Sequence, residues 1–153
     1  WCECHLQKKA AAASGGRERI MTQLETVKQY YLDRGLTCSE AVLYAANDLW
    51  NLGLDEKSFH LIGGFCGGMQ CGSVCGAISG GIAAISARYI QTDAHGCPEL
   101  KEHVTRFIDR VRQEMGTDMC CDLKPKYFND TSLCFGVVEP VFRILLECED
   151  DAQ

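Results

Sequence analysis

The sequence predicts an all-α, single-domain helical bundle of about six helices. Apolar residues recur at intervals of three and four along most of the chain, which is the spacing of one helix face. Residues that favour helix ends stand before and after these stretches. Runs in which apolar and polar residues alternate, as in a half-buried strand, are nearly absent.

Helix-end signals divide the first half of the chain into three predicted helices. Gly35 is placed to end the first, because glycine readily adopts the left-handed conformation that often follows a helix. Thr37 and Glu40 match a capping box at the start of the second, and Asp55 is suited to cap the third. These helices are predicted over residues 17–34, 38 to about 50, and 56 to about 65.

A glycine- and cysteine-rich loop, GGFCGGMQCGSVCGAISGG at Gly63–Gly81, enters the fourth predicted helix. Pro98 suits the first position of the fifth helix, and Gly116 is placed to end it. Pro125 and its polar neighbours indicate a loop. The remaining elements are helices over 74–90, 98–115 and 137–148, a short turn over 117–121 and a loop over 124–132.

Length, composition and charge limit the function classes. The 153 residues suit one domain, and a hydrophobic content of 46% is that of a globular chain. A net charge of −6 argues against nucleic-acid and anionic-membrane partners. No stretch is long and apolar enough to predict a membrane span. Neither a phosphate-binding loop nor a hydrolase triad is present.

Eleven cysteines are the outlying feature of the composition. A disulfide framework is the expectation for a secreted protein. The odd count, the missing secretory signal and the length of the chain instead favour cysteines that bind metal or perform redox chemistry. We therefore expect a cytoplasmic protein in a reducing setting.

Residues 1–20 are interpreted as a tail or linker, and residues 21–153 as a cysteine-rich, all-helical redox domain. The tail contains the linker-like run AAAASGG, and Met21 is a plausible natural start. Whether the tail is native or added sequence is left open.

Several cysteines are predicted at helix starts, where unpaired N–H groups and a partial positive charge stabilise a thiolate and lower its pKa. The thiolate is the form that binds metal. Packing alone does not account for this placement, whereas Cys148 is predicted as a core residue. The cysteines at or near predicted helix starts are Cys38, Cys75, Cys120, Cys121 and Cys134.

Two further cysteines in the glycine-rich loop, Cys66 and Cys71, give with Cys75 the spacing C-x4-C-x3-C. We predict that the loop cysteines also bind metal. The bare backbone of Gly67, Gly68 and Gly76 is suited to hydrogen-bond sulfur around a cofactor. For Gly76 the alternative is close packing between helices.

Four segments carry a resemblance to a known family: LTCSEAVL at Leu36–Leu43, GGFCGGM at Gly63–Met69 with CGAISG at Cys75–Gly80, GTDMCCDL at Gly116–Leu123, and a final cysteine, Cys134. In this order they resemble the C_GCAxxG_C_C family of redox-active proteins. The resemblance covers about residues 24–146. It implies an all-helical fold and four core cysteines: Cys38, Cys75, one of Cys120 and Cys121, and Cys134.

A related domain of split-Soret cytochromes c carries an iron–sulfur centre as well as haem. This chain lacks the haem motif, so the resemblance implies only the cluster. Cys66, Cys71 and one of the vicinal pair depart from the family pattern. They leave open a larger metal site or an extra thiol beside the core set.

The leading prediction is a redox-active iron–sulfur protein, with a [4Fe–4S] or [2Fe–2S] cluster that serves electron transfer or reductive chemistry. The alternatives are a metal-free thiol–disulfide oxidoreductase and a structural zinc site. Whether the protein is an enzyme stays open; if it is, we expect an oxidoreductase. The expected partner is an unidentified redox protein, and a homodimer is left open.

Overall fold

A computed structural model of the chain describes residue 16 and residues 18–151. Over these residues the chain forms seven helices and no strand, so the all-α prediction is confirmed. Residues 18–20 of the predicted tail are already helical, and most of that tail lies outside the described residues. The helices are α1 (18–28, continued by a wider π turn over Gln29–Asp33), α2 (Cys38–Trp50), α3 (Glu56–Gly63), α4 (Gly76–Tyr89), α5 (Leu100–Met115), α6 (Cys120–Tyr127) and α7 (Phe135–Asp150).

The predicted helix-end signals at Gly35, Gly116, Thr37 and Asp55 act as the sequence indicates. Gly35 and Gly116 have φ values of +67° and +82°, in the left-handed region that glycine tolerates. At α2 the capping box is complete: the Thr37 hydroxyl accepts the Glu40 N–H, and the Glu40 carboxylate accepts the Thr37 N–H. Asp55 caps α3 through the N–H of Ser58.

Helix α4 lies at the centre of the bundle and packs most extensively against α2, with α3, α5 and α7 around it. Small residues allow this close approach. A Cβ atom at Gly80 would lie 2.4 Å from the carbonyl oxygen of Ser39 in α2, and one at Gly81 would lie 2.7 Å from the ring of Phe107 in α5. The predicted packing role of helix glycines is therefore seen at Gly80.

A buried carboxylate joins the far ends of α4, α5 and α7. Glu149 is 1% exposed. Its carboxylate accepts the Tyr89 hydroxyl at 2.6 Å and lies 3.1 Å from Nδ1 of His103. Arg88 and Arg106 stand 3.7 and 4.0 Å from the same carboxylate. The charge of Glu149 is thus compensated inside the bundle.

The start of α4 differs from the prediction. The helix begins at Gly76 rather than near Ser73, and Cys75 is its N-cap. The preceding residues are extended because they pair with the segment before α6: the Cys120 N–H donates to the Ser73 carbonyl, and the Cys75 N–H donates to the Asp118 carbonyl. Tertiary pairing overrides the helical spacing of these residues.

Two further boundaries also shift. Pro98 lies in a turn, and α5 starts at Leu100. The region predicted as a loop from residue 124 is instead helical as far as Tyr127, so α6 contains Pro125. Proline here removes one intrahelical bond, to the carbonyl of Cys121, which so short a helix tolerates.

None of the helices described here is both long enough and apolar enough to cross a membrane.

Candidate metal centre

A cavity of about 310 Å³ opens at one end of the bundle. Its wall is mostly apolar apart from cysteine sulfurs, with contributions from Phe128, Leu133 and Val137. Among the described residues, Lys124 is the one charged residue that lines it. Five cysteines from distant parts of the chain line this cavity: Cys38, Cys66, Cys75, Cys120 and Cys134.

Four of these cysteines stand at the starts of four different helices. Cys38 is the first residue of α2 and Cys120 the first of α6, while Cys75 and Cys134 are the N-caps of α4 and α7. Each helix start carries unpaired N–H groups and a partial positive charge. The starts of four helices therefore converge on one sulfur-lined space.

Gly76 makes room for the sulfur of Cys38. A Cβ atom at this position would lie 2.6 Å from Cys38 Sγ, 2.9 Å from the Phe65 carbonyl oxygen and 3.0 Å from Cys66 Cα. No real side chain fits such distances. The glycine thus brings Cys38, Cys66 and the start of α4 together.

Backbone N–H groups donate hydrogen bonds to two of the sulfurs. The Gly67 N–H donates to Cys38. The Ala77 and Ile78 N–H groups, in the first turn of α4, donate to Cys75. These bonds favour the charged form of each thiol. Gly67 therefore acts on Cys38 through its backbone.

Side chains provide the hydrogen bonds to two other sulfurs. The Tyr31 hydroxyl accepts the backbone N–H of Cys134 at 3.0 Å and hydrogen-bonds the Cys134 thiol. The side-chain amide of Gln70 donates to the Cys66 sulfur at 2.9 Å. Tyr31 thereby ties α1 to the start of α7.

The loop between α3 and α4 contains a left-handed turn. Gly67, Gly68, Met69 and Gln70 have φ values of +62°, +64°, +56° and +62°. This conformation costs about 1–2 kcal/mol at each of the two residues that are not glycine. A Cβ at Gly68 would lie 2.7 Å from Cys120 Cβ, so Gly68 allows the turn to pack against α6.

Burial raises the pKa of the four cavity thiols at helix starts, against the prediction from their position. Desolvation is the largest cause at Cys38, Cys75, Cys120 and Cys134, and the neighbouring sulfurs add to it at the first three. The pKa of Cys75 rises to about 12. Lys124 lowers the pKa of Cys120 and Cys134 without reversing the shift. In the chain alone these thiols are therefore neutral near pH 7.

Not every predicted cysteine reaches the cavity. Cys71 and Cys121 are exposed and do not line it, so Cys120 is the cavity member of the vicinal pair. The left-handed turn explains why Cys71 lies outside the cavity, because the turn prevents Cys71 from sharing a helix face with Cys75. Cys97 and Cys148 are buried elsewhere, and the core position predicted for Cys148 is confirmed. Cys2 and Cys4 lie outside the described residues.

The cavity thiols surround a space instead of converging on a point. Within residues 18–151, no three Cys, His, Asp or Glu side chains are arranged to hold a single metal ion.

Two other residues of the site were missed by the sequence analysis. Tyr31 was expected only as an apolar helix position, and Lys124 only as part of a polar loop. Neither role has a local signal in the sequence. Tyr31, for example, lies 103 residues from Cys134, to which it is hydrogen-bonded.

Comparison with known families gives one match. Residues 36–148 match the profile of a family described as "Putative redox-active protein (C_GCAxxG_C_C)". This segment is well over half of the chain. The chain belongs to the C_GCAxxG_C_C family. The match includes all five cavity cysteines of this C_GCAxxG_C_C protein, whereas Tyr31 lies before it. Neither the curated proteins nor the solved structures gave a match.

Proposed function

We propose that this protein carries an iron–sulfur cluster, [4Fe–4S] or [2Fe–2S], for electron transfer or reductive chemistry with a redox partner protein. The ligands would be Cys38, Cys75, Cys120 and Cys134. The observation that carries the proposal is the meeting of these four thiols, from four helix starts, around one cavity. Iron–sulfur clusters are typically held by four cysteine thiolates.

The donor set supports this group. Five cysteine sulfurs line the cavity, and the described residues place no carboxylate or imidazole beside them. Thiolates are soft ligands that select zinc, copper(I) and iron–sulfur clusters over magnesium or calcium. The backbone N–H groups on Cys38 and Cys75 are of the kind that sets a cluster's potential.

The spacing of the thiols favours a cluster over a single zinc ion. A structural zinc site needs four ligands, each about 2.0–2.3 Å from one point. The described residues contain no such group, while the cysteines stand around a volume of about 310 Å³. A group of several metal and sulfide atoms suits ligands that are held apart.

The raised pKa of Cys75 favours metal binding over metal-free thiol chemistry at this residue. A nucleophilic cysteine needs a thiolate at neutral pH, and the Cys75 pKa of about 12 leaves almost none. A metal centre removes this difficulty, because coordination deprotonates a thiol outright. When bound, the cluster would supply one-electron transfer. The apolar wall of the cavity would shield the charged cluster from water, with Lys124 beside it.

The test is purification without oxygen, followed by a visible spectrum and analysis for iron, sulfide and zinc. We expect a brown protein whose broad visible absorption bleaches with dithionite. Cys75→Ser should lose the iron, whereas Cys148→Ser, at a buried site remote from the cavity, should lose stability only. A colourless protein with zinc, or equal iron in both variants, would overturn the proposal.

A further inference from the structure

We propose that Cys38 and Cys66 form a redox-active pair, and that their disulfide closes the cavity to metal. Cys66 is the one cavity cysteine that the four family positions do not use. The pairing stands on the geometry of the chain alone. Its consequence for metal uptake rests on the proposed function.

The approach of the two residues is fixed by their contacts with Gly76. The Cβ position at Gly76 lies 2.6 Å from Cys38 Sγ and 3.0 Å from Cys66 Cα. Because both distances are measured from the same Cβ position, Cys38 Sγ and Cys66 Cα are no further apart than the sum of the two. A disulfide requires the Cys66 sulfur, which is two bonds from this Cα, to come within about 2.05 Å of the Cys38 sulfur. Rotation of the Cys66 side chain toward Cys38 is thus the main movement needed.

We assign Cys66 as the attacking thiol of the pair. It lies between two exposed residues, Phe65 and Gly67, whereas Cys38 is followed by the fully buried Ser39. The side-chain amide of Gln70 donates to the Cys66 sulfur at 2.9 Å. Cys38, at the start of α2, is then the resolving thiol.

The other loop cysteine is a poorer partner for either residue. Cys71 is exposed, does not line the cavity, and directs its thiol to the carbonyl oxygen of Gly68 at 3.4 Å. Cys71 therefore serves as a matched control, since it lies five residues from Cys66 on the same loop.

The reaction uses a low-molecular-weight disulfide as oxidant. The Cys66 thiolate attacks one sulfur of that disulfide, and the first small thiol leaves with a proton. The Cys38 sulfur then attacks Cys66 Sγ, the mixed disulfide breaks, and a second small thiol leaves. The protein loses two electrons and two protons, and the oxidant becomes two thiols. An added dithiol reverses both steps.

Formation of this bond removes Cys38 from the ligand set. Loss of a partner outside the ligand set already costs about 10–100-fold in metal affinity. We expect iron uptake by the oxidised protein to fall by at least that factor, and to return after reduction. The cavity would then accept a cluster only in a reducing environment.

The experiment treats the full-length, metal-free protein with oxidised glutathione, then maps its disulfides by mass spectrometry. Anaerobic reconstitution with ferrous iron and sulfide follows. We expect a Cys38–Cys66 linked peptide in the wild type and in Cys71→Ser. Cys66→Ser should lack that peptide and keep its iron uptake after the same treatment.

Three results would overturn the proposal. One is Cys66 joined to Cys71 or Cys120; another is Cys66 left free while Cys71 and Cys121 have reacted. The third is an oxidised protein, linked at Cys38–Cys66, that takes up as much iron as the reduced one. If the reduced protein takes up no iron, the proposed cluster fails, while the mapped pair is judged on the linked peptide alone.

Discussion

The sulfur of Cys38 occupies the space that a side chain at Gly76 would need. A Cβ at Gly76 would lie 2.6 Å from that sulfur and 2.9 Å from the Phe65 carbonyl oxygen. The contact with the Phe65 carbonyl is with backbone, which moves little. The site therefore requires glycine at the first residue of α4, although alanine is the better helix former.

Gly76→Ala should displace Cys38 and destabilise the fold. Overpacking of this kind costs about 1–3 kcal/mol, and it should also lower the iron content because Cys38 leaves its position. Urea unfolding measures the first effect and iron analysis the second. Gly64→Ala is the matched control, since a Cβ at Gly64 meets nothing within 4 Å and its φ is −67°. Equal behaviour of the two variants would contradict the assigned role of Gly76.

The stability of the metal-free protein should fall at alkaline pH. The pKa of Cys75 is raised in the fold from 9.0 to about 12. A group with a raised pKa stabilises the fold below its unfolded pKa, and this contribution is lost as pH rises through the folded value. For Cys75 it is on the order of 3–4 kcal/mol. Cys38, Cys120 and Cys134 shift in the same direction.

Urea unfolding of the reduced, metal-free protein between pH 7 and about pH 10.5 would measure this loss; the upper limit stays below the folded pKa. Cys75→Ala should flatten the dependence, because it removes the thiol whose pKa is raised to about 12. Stability that is constant or rises over the same range would show that the cavity thiols are not desolvated as described.

The sequence predicts helix ends, and cysteines beside them, because these signals are local, whereas the set of four core cysteines follows from the family resemblance. Gly35, Thr37 and Gly116 act on their own turns of backbone. A cysteine beside such a signal is at a helix start wherever the helix packs. The convergence of four starts follows only from the family resemblance, because periodicity does not say which helix ends meet.

The sequence does not predict the direction of the thiol pKa shifts or the selection of Cys66 over Cys71. The shifts depend on desolvation by helices that are far apart in the chain, and this outweighs the local helix-start effect. The selection depends on a left-handed turn in which Met69 and Gln70 adopt positive φ, a conformation that no local rule expects of these residues.

Tyr31→Phe should destabilise the fold and weaken the site at Cys134. The variant leaves the Cys134 N–H without its acceptor at 3.0 Å, and a buried unpaired donor costs about 1–3 kcal/mol. It also removes a bond that lowers the Cys134 pKa. Thermal unfolding and iron content would both fall. Tyr30→Phe is the control, because its hydroxyl bonds Asp48 at an exposed position; a similar loss there would contradict the role of Tyr31.

Glu149→Gln should lower stability without changing the metal content. The carboxylate is 1% exposed, and the variant removes the charge that faces Arg88 and Arg106 at 3.7 and 4.0 Å. Hydrogen bonds to charged groups contribute about 1.5–3 kcal/mol. The melting temperature should fall by about 2–4 °C for each kcal/mol lost.

The control for this variant is Glu102→Gln. Glu102 pairs with the same Arg106 at 3.9 Å, but its side chain is 78% exposed, and such surface pairs contribute about 0.2–1 kcal/mol. Iron content should be unchanged in both variants, because Glu149 stands about 22 Å along α7 from Cys134. Loss of iron in Glu149→Gln with an intact fold would show that the buried carboxylate and the cysteine cavity are coupled through α7, and would refute their independence.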